Sequence, residues 1–360
     1  MNASDIKTLH MIGSKALGGA ESFYLRLVNG LFEKGSSVVA CYPRESLIQK
    51  GLNPDVEQYQ LPMRSVYDPL SKFGINRLIK KVQPDIVMTY MGRATRLVNF
   101  KNKKRPIHVA RLGGYYNLKG YRHADAWVGN TRGICDYLVK NGLSSEKVFH
   151  ISNFIDIPER ISQQKITEFK NINRIPDDAL IVSTVARLHP NKGVSDLLSA
   201  FSKLPRELSG RPVFLVVAGD GELKNDLKAH AAQLGVSDRI RWLGWLLSPG
   251  IVYQSADLFV CPSIHEPLGN VILEAWAHAV PLVSTKTDGA LELVKHEETG
   301  LLVEIGNSDE MASAIVSVLS SSQADKIKLI DSGLRELERN FSKQLIISKY
   351  ESLYASLLKS

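Results

Sequence analysis

Short apolar runs alternate with amphipathic stretches from the start of the chain. The run 6–12 has strand character, and a loop containing Gly18 and Gly19 follows it. A helix with apolar residues at helical spacing opens at Glu21 and ends at Gly35, and 36–42 is the next apolar run. A strand, a glycine loop, a helix and a second strand in this order predict the beginning of a Rossmann-like parallel sheet.

The same alternation continues through the chain in two successive sets. In the first set we predict helices near 70–82 and 131–141 and strands at 85–90, 107–111, 126–130 and 148–152. A polar segment with prolines, 153–178, is predicted to be a connector. In the second set we predict strands at 180–186, 213–218, 239–243, 258–261, 282–284 and 300–303, with helices after Gly193 and at 222–234.

The fold class expected is therefore α/β, with two successive Rossmann-like halves. A chain of 360 residues is also too long for one ordinary core. Ligands of such folds bind beyond the carboxyl ends of the strands, so the cleft between the domains is the expected site. The last helix carries one apolar stripe, and we expect it to pack on the body and to cross between the domains. The stripe consists of Phe341, Leu345, Ile346, Tyr350, Leu353, Tyr354 and Leu357.

Composition narrows the class of protein. Hydrophobic residues make up 44% and charged residues 23%, as in soluble globular proteins. The sequence has no apolar run of the roughly 20 residues that span a bilayer, and no apolar signal core follows the first basic residues. Three widely spaced cysteines fit neither a metal site nor a disulfide framework. These features predict a cytoplasmic location.

The charge is uneven along the chain. Residues 1–155 contain 23 Lys and Arg against 11 Asp and Glu, a net +12, while the remainder has 22 against 26, a net −4. The densest basic run is 101–105. An anionic membrane surface or a polyanion could be the partner, and an ordinary solvated surface is the alternative. Nucleic acid is not favoured, because no known binding module accompanies the charge.

Two loops carry candidate phosphate contacts. Arg187 and Lys192 follow the first strand of the second set, and two cations just before a helix suit a diphosphate, although an ordinary basic loop has the same appearance. Gly19 stands at the equivalent place in the first set, where glycine lets a backbone approach a ligand, or simply makes a tight turn. The loop lacks the dinucleotide-binding glycine spacing, so an NAD dehydrogenase is only weakly supported.

The stretch 261–276 predicts a strand, a loop and a helix. The backbone N–H groups of Leu268, Gly269 and Asn270 at the helix start suit an anion. Glu266 precedes the helix, and Glu274 is expected about two turns inside it. On an ideal helix the two carboxylates would diverge by about 80°, so a shared metal is not favoured. A hydrolytic acid–base pair would need a separation that sequence cannot give.

These motifs, taken in order, resemble the retaining glycosyltransferases of family 4. The resemblance covers nearly the whole chain and is strongest over 180–305. Besides Gly18 through Glu21 it rests on Arg187, Lys192-Gly193, Ala218–Gly221, Leu243-Gly244, Ala256-Asp257, Pro262-Ser263, Glu266 with Glu274, 289–292 and 299–303. It implies the GT-B fold, which has two facing Rossmann-like domains with a cleft between them. The acceptor-side domain would comprise 1–155 and a returning helix at 344–360, and the donor domain would comprise 156–343.

The resemblance also implies roles for the candidate residues. Arg187 and Lys192 would neutralise the donor diphosphate as the glycosidic bond breaks. Glu266, with the amides of the loop that follows it, would hold the donor sugar and phosphates. Glu274 would accept hydrogen bonds from the ribose, and Gly19 would approach the diphosphate. No metal and no other cofactor is implied, and a donor phosphate oxygen would take the acceptor proton in a front-face mechanism.

The sequence departs from the family pattern in two places. Pro267 stands where many relatives have Gly and removes one N–H donor. Many relatives also have a His-containing segment facing the donor sugar, and here that region reads Arg111 to Tyr116. Arg111, Tyr115 or His123 could contact donor or acceptor, or could be structural. The two tryptophans near the site motifs, Trp245 and Trp276, are expected to be core aromatics.

The resemblance therefore predicts a retaining glycosyltransferase that moves a sugar from a nucleotide-sugar, by family frequency a UDP-sugar, to a glycan or lipid-linked acceptor. Lipopolysaccharide or surface polysaccharide biosynthesis is the expected setting, and the inner face of the cytoplasmic membrane is a candidate location. A nucleotide-sugar epimerase of the same fold and a non-catalytic sugar-nucleotide-binding subunit are the alternatives.

Overall fold

The computed structural model describes residues 6–100 and 106–359. These residues form two compact units. Unit 1 comprises the described residues up to Phe154 and again from Phe341 onward, and unit 2 runs from Ile155 to Asn340. The sequence predicts domain boundaries after residues 155 and 343, whereas the units change after Phe154 and after Asn340. The predicted boundaries are therefore one and three residues late.

Unit 1 is built on a parallel sheet. Its strands in the described residues are β1 (Thr8–Ile12), β2 (Val38–Pro43), β3 (Glu57–Leu61), β4 (Ile86–Tyr90), β5 (Ile107–Leu112), β6 (Ala126–Gly129) and β7 (Val148–His150). Their spatial order is β3-β2-β1-β4-β5-β6-β7, and every pairing is parallel. All the carboxyl ends of these strands therefore lie along one edge of the sheet.

Helices cover the two faces of this sheet. They are α1 (Gly19–Glu33), α2 (Pro69–Val82), α3 (Met91–Leu97) and α4 (Arg132–Lys140). The predicted apolar face of α1 is confirmed, since Phe23, Leu27 and Leu31 are buried. The start of α2 is fixed by Asp68, whose carboxylate accepts hydrogen bonds from the backbone N–H groups of Leu70 and Ser71.

Unit 2 contains a second, mainly parallel sheet. Its described strands are β8 (Leu180–Val185), β9 (Glu207–Leu208), β10 (Arg211–Ala218), β11 (Ile240–Gly244), β12 (Leu258–Cys261), β13 (Leu282–Thr285) and β14 (Leu301–Val303). The spatial order is β11-β10-β8-β12-β13-β14, with β9 antiparallel to β10. Each sheet carries buried side chains on both faces, as parallel sheets require.

The sequence pattern predicts only some of the eight described helices of unit 2. They are α5 (Gln163–Ile172), α6 (Val194–Ser202), α7 (Lys224–Gln233), α8 (Gly250–Gln254), α9 (Asn270–Ala277), α10 (Asp288–Leu293), α11 (Ser308–Ser320) and α12 (Gln323–Phe341). The first of them, α5, lies inside the predicted connector 153–178, so that prediction is wrong. None of its residues is buried, which explains its weak apolar periodicity.

The C-terminal helix α13 (Lys343–Leu357) belongs to unit 1. The predicted stripe is largely buried, with Tyr350 against the ring of Phe23 at 6.3 Å between centroids. Gly30 of α1 leaves room for Ile347, since a Cβ there would lie 2.6 Å from its Cδ1. Burying a large apolar side chain contributes roughly 1.5–3 kcal/mol, so this stripe is a main source of stability for unit 1.

These arrangements form the GT-B fold, with a Rossmann-like sheet in each unit. No described helix is both long and apolar enough to span a membrane.

Candidate active site

The predicted site residues of unit 2 lie on two neighbouring loops and in helix α9, which follows the second loop. Strands β8 and β12 are adjacent and parallel, so the loops that follow them leave the same edge of the sheet. The loops are joined by backbone hydrogen bonds, because the N–H groups of Ile264 and His265 donate to the carbonyl of Asn191 at 2.9 and 3.1 Å. The sheet topology and these bonds bring the two halves of the predicted site together.

A glycine makes this close approach possible. Gly193 ends the first loop with φ at +60°, in the left-handed region that favours glycine. A Cβ at this position would lie only 1.9 Å from the carbonyl oxygen of Pro262. Both the backbone conformation and the available space therefore require glycine next to Lys192.

The structure brings Lys192 and Glu266 into direct contact. The ammonium group forms an ion pair with the carboxylate, and the two side chains are 26% and 15% exposed. The hydroxyl of Ser263 donates to the same carboxylate at 3.4 Å. Sequence reasoning assigned no role to Ser263, which nonetheless lies in a quoted motif three residues before Glu266. A half-buried cation next to a carboxylate can neutralise phosphate and accept hydroxyl hydrogen bonds at one place.

The loop that carries Leu268 and Gly269 is held from a third side. Gly289, at the start of α10, donates its N–H to the carbonyl of Glu266 at 3.0 Å. A Cβ on Gly289 would meet the carbonyl oxygen of Leu268 at 2.2 Å. Gly269 itself has φ at +91° and caps α9, whose first residue is Asn270. Leu268, Gly269 and Asn270 thus form the N-terminal, positive end of α9, as an anion site requires.

Glu274 lies nearer the helix start than the sequence predicts. Helix α9 begins at Asn270, so Glu274 is one turn inside it and not two, because Glu266 belongs to the loop. Its carboxylate accepts a hydrogen bond of 2.9 Å from the hydroxyl of Tyr253. Tyr253 is buried and stacks on His278 at 4.9 Å between centroids. Sequence reasoning did not find this tyrosine, which lies 21 residues away in a helix without a recognisable motif.

Arg187 is exposed in the same loop as Lys192. Its guanidinium forms no ion pair within the described residues. Its position is fixed by its neighbours: Leu188 donates to the carbonyl of Asp220 at 2.9 Å, and a Cβ on Gly221 would lie 2.4 Å from the carbonyl oxygen of Leu188. The loop after β10 therefore fixes the backbone of Leu188, the residue after Arg187, while the Arg187 side chain remains exposed.

Gly19 lies in unit 1, where it is the first residue of α1 and exposed. The N–H of Gly18 donates to the carboxylate of Glu21 at 3.0 Å, which closes this helix start. Gly19 is therefore not among the residues that unit 2 brings together.

The thiol and imidazole near the site are poor reactants. Burial raises the pKa of Cys261 above its ordinary value, and the nearby charge of Glu266 raises it further. Burial lowers the pKa of His278 to about 4, so this imidazole is neutral at pH 7. A nucleophilic thiolate at Cys261 is therefore disfavoured.

The residues of unit 1 that the sequence left open have structural partners. Arg111 is buried, donates to the hydroxyl of Tyr350 at 3.1 Å and to Asn153, and lies 4.0 Å over the ring of Phe23. His123 contacts the carbonyl oxygens of 95 and 98 at 2.9 and 2.7 Å. Tyr115 lies edge-on to another tyrosine ring at 5.4 Å.

The two tryptophans differ. Trp276 is buried and donates from Nε1 to the carbonyl of Thr299 at 2.9 Å, which confirms the core assignment. Trp245 is 56% exposed, so its assignment to the core is wrong. It directly follows β11 and lies beyond the last residue of that strand, which explains why its apolar character did not indicate burial.

Comparison with known proteins agrees with this geometry. The profile of the family described as glycosyl transferases group 1 matches residues 165–335, which include both loops. The lipopolysaccharide core biosynthesis glycosyltransferase LpsE of Rhizobium meliloti (strain 1021) is 32% identical over 346 residues, covering 94% of this chain and 96% of that protein. LpsD of the same organism, which has the same description, is 28% identical over 340 residues, covering 94% and 95%.

A solved structure supports the fold. The crystal structure of Anabaena Alr3699/HepE in complex with UDP and glucose superposes with a TM-score of 0.82 at 19% identity, covering 98% of this chain and all of that one. The full-length similarity to LpsE and the matched profile together establish that the chain belongs to the group 1 glycosyltransferases.

Proposed function

We propose that this glycosyltransferase transfers a sugar, with retention of the anomeric configuration, from a UDP-sugar to a hydroxyl of a lipopolysaccharide-core or surface-glycan acceptor. The observation that carries the proposal is the Lys192–Glu266 pair beside the start of α9. A cation, a carboxylate and a helix N-terminus can bind diphosphate oxygens and sugar hydroxyls together. The descriptions of LpsE and of the HepE complex supply the acceptor and donor classes.

In this proposal Lys192 and Arg187 stabilise the negative charge that develops on the leaving diphosphate. Glu266 orients the donor sugar, Glu274 binds the ribose, and Gly19 approaches the diphosphate. These cations and the helix start supply the charge stabilisation, and no metal ion is required. The acceptor proton passes to a donor phosphate oxygen, which fits the unreactive thiol and imidazole near the site.

A donor panel tests this proposal. UDP-, GDP- and ADP-sugars are incubated with a lipid-glycan extract, nucleotide release is measured with and without EDTA, and NMR gives the anomeric configuration of the product. We expect release that depends on acceptor and UDP-sugar and persists in EDTA. Sugar interconversion without acceptor would indicate the epimerase, and binding without turnover would indicate the non-catalytic subunit. Inversion or complete loss in EDTA would contradict the mechanism.

We also propose that the protein acts at the cytoplasmic membrane surface. The basic run 101–105 lies outside the described residues, but helix α2 supports the idea independently. Its exposed side includes Leu70 at 64% and Phe73 at 70%, with Lys72 and Arg77 beside them and no acidic residue in the helix. Apolar and basic side chains together suit an anionic bilayer.

Flotation with phosphatidylglycerol vesicles at low salt should recover the protein, and Leu70→Ser with Phe73→Ser should reduce recovery severalfold. Unchanged recovery would exclude this surface.

A further inference from the structure

Unit 1 contains a cationic pocket lined by none of the site residues that unit 2 brings together. It has a volume of about 420 Å³ and is lined by Lys15, Arg44, Glu45, Pro62, Met63, Arg64 and Arg93. Four cations and one carboxylate therefore face the same space. The carboxylate, Glu45, pairs with Lys15 at 3.1 Å, and both of these side chains are more than half exposed. An exposed pair of this kind is weak, so the pocket keeps a strong positive potential.

The topology explains why the charges converge. Four strands, β3 at the edge and then β2, β1 and β4, are consecutive in the sheet. Each is followed within three residues by one of the cations: Arg64 after β3, Arg44 after β2, Lys15 after β1 and Arg93 after β4. The carboxyl edge of a parallel sheet is where ligands of such folds bind. One cation at the end of each of four neighbouring strands is an arrangement suited to an anion.

The loops are shaped around these side chains. Glu45, Met63 and Met91 have φ values of +58°, +41° and +64°, in the left-handed region that costs a non-glycine residue about 1 kcal/mol or more. Each lies within two residues of one of the three arginines. Gly13 gives Arg93 its place, because a Cβ there would lie 2.7 Å from the Cβ of Arg93.

The arginines retain capacity for a ligand. Within residues 6–100 and 106–359, the guanidinium groups of Arg44 and Arg64 form no ion pair. The guanidinium of Arg93 donates to the carbonyl of Met63 at 3.2 Å, which uses one of its five N–H groups. Guanidinium groups bind phosphate and carboxylate oxygens in a bidentate way, and three of them around one pocket favour a saccharide with anionic substituents over a neutral one.

We propose that this pocket binds the phosphate or carboxylate groups of an anionic saccharide. The inference rests on the proposed function only in taking that saccharide as the acceptor; the binding itself stands on the geometry of unit 1. It gives the acceptor a chemical class: a glycan that carries negative charge near the hydroxyl to be glycosylated.

Calorimetric titration tests the pocket with three soluble probes: phosphopentamannose, neutral pentamannose and trigalacturonic acid. We expect the neutral probe to bind at least about tenfold more weakly than one of the charged probes. Tighter binding of phosphopentamannose identifies phosphate as the recognised group, and tighter binding of trigalacturonic acid identifies carboxylate. Raising the salt concentration should weaken the charged interaction. Equal affinity for neutral and charged probes would overturn the proposal.

Variants locate the binding. Arg44→Gln with Arg64→Gln should lower the affinity for the charged probe by about tenfold or more, and the double lysine variant should recover part of it, because it keeps the charge but loses the bidentate fork. Lys140→Gln with Lys147→Gln, an equal change of charge at two exposed positions of the same unit outside the pocket, is the matched control. Equal losses in the two glutamine variants would overturn the assignment.

UDP titration of the same proteins reports on the donor site separately. If the unaltered protein does not bind UDP, the result counts against the proposed function. If it binds UDP but binds neither charged saccharide, the result counts against this inference.

Discussion

Lys192 pairs with Glu266, whose carboxylate also accepts a hydrogen bond from Ser263, and in the proposed mechanism it stabilises the leaving diphosphate. Replacement by methionine keeps the aliphatic stem and removes the charge. We expect the turnover rate to fall at least about 100-fold, because one electrostatic contact to the leaving group is lost. Initial rates of nucleotide release with acceptor measure this. Lys224→Met, which breaks an exposed pair with Asp220 in the same unit, should leave the rate nearly unchanged. A Lys192→Met rate close to the unaltered one would contradict the assignment.

In the proposed mechanism Tyr253 positions Glu274, so its replacement should change KM rather than kcat. Its hydroxyl donates to Glu274 while its ring stacks on His278, so Tyr253→Phe removes the first contact and keeps the second. With about 1 kcal/mol of hydrogen bonding lost, the KM for the donor should rise about fivefold while kcat stays similar. Steady-state kinetics with the donor varied separate these parameters. A fall in kcat with KM unchanged would exclude a role in ribose binding.

Residue type alone could not decide several assignments. Arg111 follows Ala110 in a strand whose pattern was read correctly, yet whether it faced a ligand or the core depended on Tyr350, which is 239 positions away. Trp245 has the composition of a core residue but lies just past the end of a strand. That Lys192 and Glu266 lie close together could be anticipated, because each belongs to a local motif that follows a strand of the same parallel sheet. Their supporting contacts could not be found, because those depend on the packing of distant segments.

Among the elements, the loop between β8 and α6 offers a clear test of backbone geometry. Gly193→Ala would place a Cβ 1.9 Å from the Pro262 carbonyl oxygen, so the two site loops must separate. Gly210→Ala is the matched control, since φ is +75° there and nothing lies within 4 Å of the added Cβ. The control should cost about 1 kcal/mol of unfolding free energy, and Gly193→Ala should cost more and also weaken UDP binding at least about tenfold. Equal effects of the two variants on UDP binding would show that loop contact is not needed.

The docking of α13 on unit 1 depends on one buried hydrogen bond as well as on apolar packing. Tyr350→Phe leaves the Nε of Arg111 without its acceptor, at a cost of about 1–3 kcal/mol. Tyr354→Phe, on the same helix, loses only a hydroxyl contact to the sulfur of Met88 at 3.0 Å and should cost less. Chemical denaturation of both variants measures the difference. If Tyr354→Phe proved the more destabilising, Arg111 would not be the anchor of this helix.

The success of the sequence pattern depended on how deeply each element is buried. Strands such as β4 and β12 are entirely buried, so their apolar runs were located within a residue or two. Strand β3 was missed, because it is an edge strand with a largely polar sequence and none of its five residues is buried. The same reason applies to α5. Periodicity detects burial, and elements stabilised mainly by backbone hydrogen bonds at the periphery give little signal.

At the scale of the whole molecule, each unit contains a histidine whose pKa is lowered by full or partial burial and which acidification should affect. Burial lowers the pKa of His10 in unit 1 to about 3, and that of the less deeply buried His278 in unit 2 to about 4. The ordinary histidine pKa is 6.5, so the unfolded chain takes up protons below that pH while the folded units do not. The free energy of unfolding should therefore keep the full contribution of these neutral histidines above pH 6.5. It should decrease as the pH falls from 6.5 toward the two lower pKa values.

The size of this effect can be measured on His10, which is fully buried with Nδ1 2.8 Å from the hydroxyl of Tyr90. Protonation linkage predicts a loss of about 2 kcal/mol between pH 6.5 and pH 5 from this residue alone, since one pH unit corresponds to about 1.4 kcal/mol. His10→Asn can still reach the Tyr90 hydroxyl but cannot titrate. Its stability at pH 7 should be lower, yet its decline on acidification should be flatter than that of the unaltered protein. Parallel slopes in denaturation series at pH 7, 6 and 5 would show that acid acts on other groups and that His10 becomes charged without leaving the core.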